Sequence, residues 1–404
     1  MTQETKLEYL EKFKDLIPFC IPCGDCWTHA PINPLREEML PPPYLKCPAL
    51  EKHGLISYAL RGICAMADAV YYRDFPITPE VAERVYGCYG CGMCAELCWL
   101  REDAMPMIRA FRTQILENGL LPDNNKEILK GIRDRGHPWR GTEFTRTDWT
   151  KGLDITALSE KSDVDIVYWV GCTSALDDRG VRIAQSMGKV LKSAGINFGI
   201  LGDEESCCGE PAFWLGEAGL FEAQAGENIE LLKKYKTKKI VTSCPHCFNV
   251  LKNEYPKFGS DFEVVHHTQY LADLIESGKV KIQKGLDKKI TFHDPCFLGR
   301  HNEIYDPPRD IINSIHGVTL VEMVQNQKWA FCCGGGGGHA WVEDKGPGDR
   351  PNLIRTGQTI ETGAEIVATA CPFCLQQFDD GINTKGVQKS LSVADIAELL
   401  ASAL

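Results

Sequence analysis

Four short runs of apolar, mostly β-branched residues punctuate the second half of the chain: DIVYWV at 165–170, KIVTS at 239–243, KITFHDP at 289–295 and EIVATA at 365–370. Runs of this length, bounded by turn residues, predict strands of parallel sheets buried on both faces. Between them the hydrophobic period becomes helical, as in VRIAQSMGKVLKSAG at 181–195, YLADLI at 270–275 and DIAELL at 395–400. The alternation predicts α/β units, whose ligand sites lie at the carboxyl ends of the strands. The N-terminal part reads as helical instead. Leu7, Leu10, Phe13, Leu16 and Ile17 form an apolar helical stripe expected to face its own core. In SYALRGICAMADAV, Leu60, Cys64, Ala67 and Tyr71 share one helical face, so Cys64 reads as a small buried hydrophobe. A polar stretch from about Asn118 to Asp165, with Gly131, Gly136, Pro138, Gly141 and Gly152, reads as a linker.

Each predicted strand runs into a cysteine, and the cysteines repeat. The first set is Cys172, Cys207-Cys208-Gly209 and Cys244-Pro245-His246-Cys247; the second is Cys296, Cys332-Cys333-Gly334 and Cys371-Pro372-Phe373-Cys374. Equivalent cysteines are offset by 124, 125, 125, 127 and 127 residues, which marks one supersecondary unit used twice. An isolated CPHC would suit a dithiol oxidoreductase. That chemistry does not call for an adjacent cysteine pair upstream, twice. A four-cysteine zinc site would leave one cysteine of each five unused, so soft ligation of an iron–sulfur cluster is preferred, with zinc as the alternative.

The remaining nine cysteines lie between Cys20 and Cys98. Cys20-x2-Cys23-x2-Cys26 and Cys88-x2-Cys91-x2-Cys94-x3-Cys98 have the spacing of a two-cluster ferredoxin, in which the fourth cysteine of a run ligates the other cubane. Two departures stand out: Trp99 replaces the usual proline, and Ala30-Pro31 stands where the first run's fourth cysteine belongs. A proline-rich loop at 27–46 would displace that ligand to Cys47-Pro48. Cluster one then takes Cys20, Cys23, Cys26 and Cys98, and cluster two takes Cys88, Cys91, Cys94 and Cys47. His29 reads as a solvated loop residue.

The spacings C-x34-CCG-x34-CxxC and C-x35-CCG-x36-CxxC resemble the CCG domain of heterodisulfide reductases. The whole chain, from about residue 15 to 400, looks like the D-type polypeptide of those enzymes, a fusion of C-like and B-like parts. The segments CPALEKHGLISYALRG, ITPEVAERVYGC and CFLGRHNEIYDPPRD look like the same broad group. The resemblance implies an α+β multidomain chain. A mainly helical ferredoxin-like domain (1–125) with two cubane [4Fe–4S] clusters is followed by a linker (126–164). Two duplicated α/β CCG domains (165–285 and 286–404) related by a pseudo-twofold then each hold a non-cubane [4Fe–4S] cluster. It also implies partners: other oxidoreductase subunits, a flavin-bearing reductase-A-like polypeptide among them, and ferredoxin-type donors.

Composition narrows the reading. Of 404 residues, 19 are cysteine, and the start MTQETKLEYLEKFKDLIPF carries charge throughout. No signal peptide and no 18-residue apolar span are expected, so a reducing cytoplasm is the expected compartment, where such cysteines bind metal or do redox work. The net charge of −11 and the lack of a basic patch argue against nucleic acid. The run Gly334 to Gly338 lacks the GK[ST] ending of a phosphate loop and is read as backbone held close to a cluster. His293-Asp294 and Arg300-His301, flanking Cys296, are candidates for hydrogen-bonding or proton-donating groups around it.

Three functions fit. The preferred one is a single-electron relay subunit of a heterodisulfide reductase-like complex, for which the class II benzoyl-CoA reductase type is a model. The second is a catalytic subunit that cleaves a thiol-cofactor disulfide at the CCG pair. The third serves glycolate, lactate or electron-transfer-flavoprotein oxidation.

Overall fold

The structure is a computed structural model that describes residues 7–20, 23–26, 45–98, 103–141, 145–343 and 345–404. The displaced loop, including Ala30, Pro31 and His29, and also Trp99 lie outside the described residues. Among the described residues up to 135, the elements are all helical. The main helices are Pro48–His53, Leu60–Tyr72, Pro79–Tyr86, Met93–Leu97, Met105–Glu117 and Asp123–Arg135. Pro79 fits the first helical turn because its missing N–H would have no partner there, and the Thr78 hydroxyl accepts from the Val81 N–H. Leu60, Cys64 and Ala67 of the expected face are buried, with Ile63 and Val70 beside them, while Tyr71 is half-buried against the core. The N-terminal stripe forms only a short helix, Glu8–Glu11, yet Leu10 and Ile17 are buried in the core and Leu7, Phe13 and Leu16 pack against it.

The rest is α/β. Strands β1 (Ile166–Trp169), β2 (Phe198–Gly199), β3 (Lys239–Thr242) and β4 (Glu263–His266) form one sheet in the order β2-β1-β3-β4. Strands β5 (Lys288–Phe292), β6 (Val318–Leu320), β7 (Ile366–Thr369) and β8 (Ser392–Asp395) form a second in the order β6-β5-β7-β8. All pairings are parallel. The two sheets share one strand order because the repeated sequence specifies one unit. Helix Ile396–Ser402 of the second copy packs on Val181–Ser193 of the first, and His267–Glu276 of the first packs on Asp306–Ser314 of the second. Tyr168, Val241 and Leu271 thus share a core with Ile290, Phe292 and Ile396.

The segment expected as a linker is partly structured. It holds most of the helix Asp123–Arg135, whose Ile128, Leu129 and Ile132 are buried. Further on, Trp149 is fully buried against Tyr168, ring centroids 5.9 Å apart. The helix is amphipathic, and its polar outer face is what gave the stretch a linker composition.

Arg112 sits at the junction between the N-terminal helices and the two copies. Fully buried, it donates to the carbonyl oxygens of Val85, Tyr86, Cys88, Trp214 and Gly337. Those groups come from three separate segments. The planar guanidinium, with five donors, suits such a junction where a lysine would not.

Candidate iron–sulfur sites

In each copy the sheet delivers its cysteines to one edge. Cys172 and Cys244 follow β1 and β3; Cys296 and Cys371 follow β5 and β7. The CCG cysteines come from the loops after β2 and β6. All ten are buried in one core cluster with the N-terminal helices, and none forms a disulfide.

Their sulfurs touch in the same order twice. In the first copy the contacts run Cys172–Cys207–Cys208–Cys247–Cys244, with Cys208 Sγ and Cys247 Sγ 3.3 Å apart. In the second they run Cys296–Cys332–Cys333–Cys374–Cys371, with Cys333 Sγ and Cys374 Sγ 3.1 Å apart. A backbone N–H points at the first CCG sulfur in both: Gly209 to Cys207 Sγ at 3.4 Å, and Gly334 to Cys332 Sγ at 3.3 Å. Five soft thiols with N–H groups aimed at sulfur, walled off from water, fit an iron–sulfur group. A zinc ion takes four ligands and would leave a fifth buried thiol idle.

In the N-terminal region Cys94 lies within electrostatic reach of Cys88, Cys91, Cys47 and Cys26, and Cys26 within reach of Cys20 and Cys23. Cys47 thus lies beside the second run. Burial is the largest influence on Cys94 and holds its thiol well above the ordinary range. Cys98 caps the helix Met93–Leu97. Cys64 is buried in the core, and its thiol also contacts Cys20.

Of the four residues flagged around Cys296, three point inward. The His293 ring and the sulfurs of Cys333 and Cys374 place their ligand atoms within 4.8 Å of one another. Arg300 Nε donates to the Cys91 carbonyl at 2.7 Å, and His301 Nε2 bonds the Gly90 carbonyl at 2.9 Å. Asp294 turns away, paired with Arg309 at 2.7 and 3.0 Å.

Other participants were not visible in the sequence. Arg146, from the supposed linker, donates to Cys172 Sγ at 3.3 Å and pairs with buried Glu205 at 3.2 Å. His246 bonds Glu210 Oε1 at 2.7 Å through Nδ1 and reaches across to Cys371 of the other copy. Burial alone would keep that imidazole neutral; the Glu210 charge and the hydrogen bonds to Cys371 and Glu210 raise it well above the usual histidine range. Burial likewise opposes the Cys371 thiolate, and the hydrogen bonds from Cys374 and His246 overcome it, bringing that thiol to about 6. The difference between CPHC and CPFC was the available signal. A small cavity of about 20 Å³ lies between the copies, lined by first-copy cysteines, His246 and Glu210 and by Trp341 and Phe373 of the second.

The glycine run packs against the backbone of the second N-terminal run. A Cβ on Gly336 would lie 2.5 Å from the Tyr89 carbonyl oxygen, and one on Gly337 2.5 Å from that of Cys88. Among the described residues no helix is long and apolar enough to cross a membrane.

Comparison with known proteins agrees with this geometry. The cysteine-rich CCG domain family matches residues 166–252 and 290–379. The chain is 37% identical to the probable iron–sulfur-binding oxidoreductase FadF of Bacillus subtilis, over 80% of this chain and 47% of that one. It is 31% identical to the EtfAB:quinone oxidoreductase of Syntrophomonas wolfei, over 98% of this chain and 60% of that one. The chain thus spans about half to three-fifths of the length of these two relatives. It is 34% identical to the D-type polypeptide of the dihydromethanophenazine:CoB–CoM heterodisulfide reductase of Methanosarcina barkeri, over 80% of this chain and 79% of that one. With both five-cysteine sets intact, the chain belongs to the D-type heterodisulfide reductase family of iron–sulfur oxidoreductases.

Proposed function

We propose that the chain is the electron-transfer subunit of a larger oxidoreductase assembly, passing single electrons between N-terminal cubanes and paired CCG clusters. Cys20, Cys23, Cys26 and Cys98 hold one cubane, and Cys47, Cys88, Cys91 and Cys94 the other. The two five-thiol sets hold the non-cubane clusters. Iron–sulfur clusters supply one-electron chemistry. One observation carries the reading: Cys91, of the second N-terminal run, and Cys332, of the second CCG motif, are in thiol contact. The N-terminal set therefore adjoins the second copy directly. Arg300 stands between them, bonded to the Cys91, Lys328 and Ala330 carbonyls, with its charge felt at Cys91, Cys296 and Cys332. The first copy is reached next, through the face where His246 meets Cys371. The reciprocal packing of the two copies' helices supports a pseudo-twofold arrangement of their sites.

The expected partners are a flavin-bearing polypeptide of the reductase-A-like kind and ferredoxin-type donors. The class II benzoyl-CoA reductase type is one such assembly, and a glycolate, lactate or flavoprotein-oxidising system is another. Anaerobic purification of the native assembly tests this. About sixteen irons with matching sulfide and a co-purifying flavoprotein are expected, four irons per cluster. A duplicated half that carries zinc and little iron would sink the proposal.

His246 favours a second reading, disulfide reduction at the CCG pair. Cleaving a disulfide takes two electrons and two protons and gives two thiols. His246, held by Glu210 on the wall of the inter-copy cavity, stands where a departing thiolate could take its proton. Thiol release from a disulfide under a low-potential reductant separates this reading from a pure relay.

A further inference from the structure

The two copies present the same five thiols in the same contact order, but their surroundings differ. Three residues before the leading cysteine stands Trp169 in the first copy and His293 in the second. Inside CxxC stands His246 in the first and Phe373 in the second. After CCG stands Glu210 in the first and Gly335 in the second. These exchanges give the two thiol sets different neighbouring donors and charges.

His293 is 1% exposed. Arg355 Nε meets its Nδ1 at 3.1 Å, and because arginine can only donate, Nδ1 accepts and the proton sits on Nε2. That Nε2–H is buried and closes no hydrogen bond within the protein; the sulfur it faces is that of Cys333. His246 crosses from the first copy to Cys371, with its Nδ1 held on Glu210 Oε1 at 2.7 Å. Where His293 stands in the second copy the first has Trp169, whose buried indole N–H also closes no hydrogen bond, and the residue that crosses towards the first-copy thiols is Phe373, which has no donor.

Charge follows the same pattern. Arg300 acts on Cys296 and Cys332, and its hydrogen bonds go to carbonyl oxygens, not to a carboxylate. Its Nη2 is buried, and the guanidinium also lies against the Cys91 sulfur. Arg355 hydrogen-bonds His293 and Gln358, with the Asp294 carboxylate within electrostatic reach. In the first copy Arg146 is neutralised by Glu205 at 3.2 Å. Donors and positive charge beside a cluster favour its more negative, reduced state and raise its potential.

We infer that the second-copy site is held at a higher reduction potential than the first, with His293 as its tuning donor, so that electrons collect there. This rests on reading both copies as iron–sulfur sites.

The test uses the full chain loaded anaerobically, with iron counted before any potential is measured. Iron too low to fill the duplicated sites overturns the functional reading, and this inference with it. With iron present, a dye-mediated titration followed by electron paramagnetic resonance is expected to resolve two CCG transitions, the upper one missing from Cys296→Ser. His293→Phe should shift the upper transition downwards, while His293→Gln, which keeps an N–H donor, restores most of the shift. An upper transition that disappears in Cys172→Ser instead, or that stays in place in His293→Phe, would overturn the inference.

Discussion

Arg300, from the second copy, donates its Nε to the carbonyl oxygen of Cys91, in the N-terminal run, across 2.7 Å. The same guanidinium takes the Ala330 carbonyl at 2.7 Å and the Lys328 carbonyl at 3.1 Å. One side chain thus fixes the spacing between two cysteine sets from distant parts of the sequence.

Replacing Arg300 by Gln should leave at least two of those carbonyls without their donor. Losing hydrogen bonds to a charged group in a buried place costs on the order of 2–4 kcal/mol. Urea unfolding of the loaded protein should show that loss, and electron transfer from the N-terminal clusters to the copies should slow in rapid-mixing experiments.

The two copies are also tied by Arg179 and Glu398. Both carboxylate oxygens accept from the guanidinium at 2.7 Å, and Arg179 reaches the Val393 carbonyl at 2.9 Å. Glu398 also accepts the Asp395 N–H that opens its own helix. With both side chains mostly buried, Glu398→Gln should cost about 1–3 kcal/mol. A double-mutant cycle with Arg179→Met should show coupling well above that of an exposed pair.

Stability should fall in mild acid through His266. It is fully buried, and burial first, then neighbouring His267, hold its imidazole well below the usual 6.5. Below pH 6.5 the unfolded chain takes a proton that the folded one refuses. Stability therefore drops as pH falls, by about 1.4 kcal/mol per unit, until the depressed folded value is reached. His266→Asn should flatten the change in unfolding free energy measured between pH 7.5 and 5.5.

Removing iron should leave sulfurs poised to pair. Cys208 and Cys247 are 3.3 Å apart, and Cys333 and Cys374 3.1 Å apart, so small movements reach bonding distance. Apoprotein exposed to air should lose about four titratable thiols, and peptide mapping should find those two bridges.

The duplicated architecture was readable because strands, spacing and chemistry coincide. Each of the four apolar runs ends just before a cysteine, so one pattern marked the inner strands β1, β3, β5 and β7; the shorter or less apolar edge strands β2, β4, β6 and β8, and the strand order, were not legible. What escaped the sequence was carried by residues whose role depends on distant partners. Arg146 lies in a polar stretch and acts on Cys172; Arg112 looks like any helical arginine until five carbonyls surround it. His246 was legible only by asking why the repeats differ, because its partner Cys371 is more than a hundred residues away. Cys64 is buried as its helical face predicts, but its contact with Cys20 needed the fold.

The glycine run has a consequence for engineering and for ancestry. Where Gly336 and Gly337 meet the Cys88–Tyr89 backbone, an added Cβ would strike a carbonyl oxygen at 2.5 Å, so no larger side chain there can repair a poor fit. A foreign ferredoxin grafted onto this pair of copies would need the same main-chain contour at that seam, whatever its surface residues. The joint is a lock cut in backbone, and the halves of this chain can be expected to have changed partners rarely.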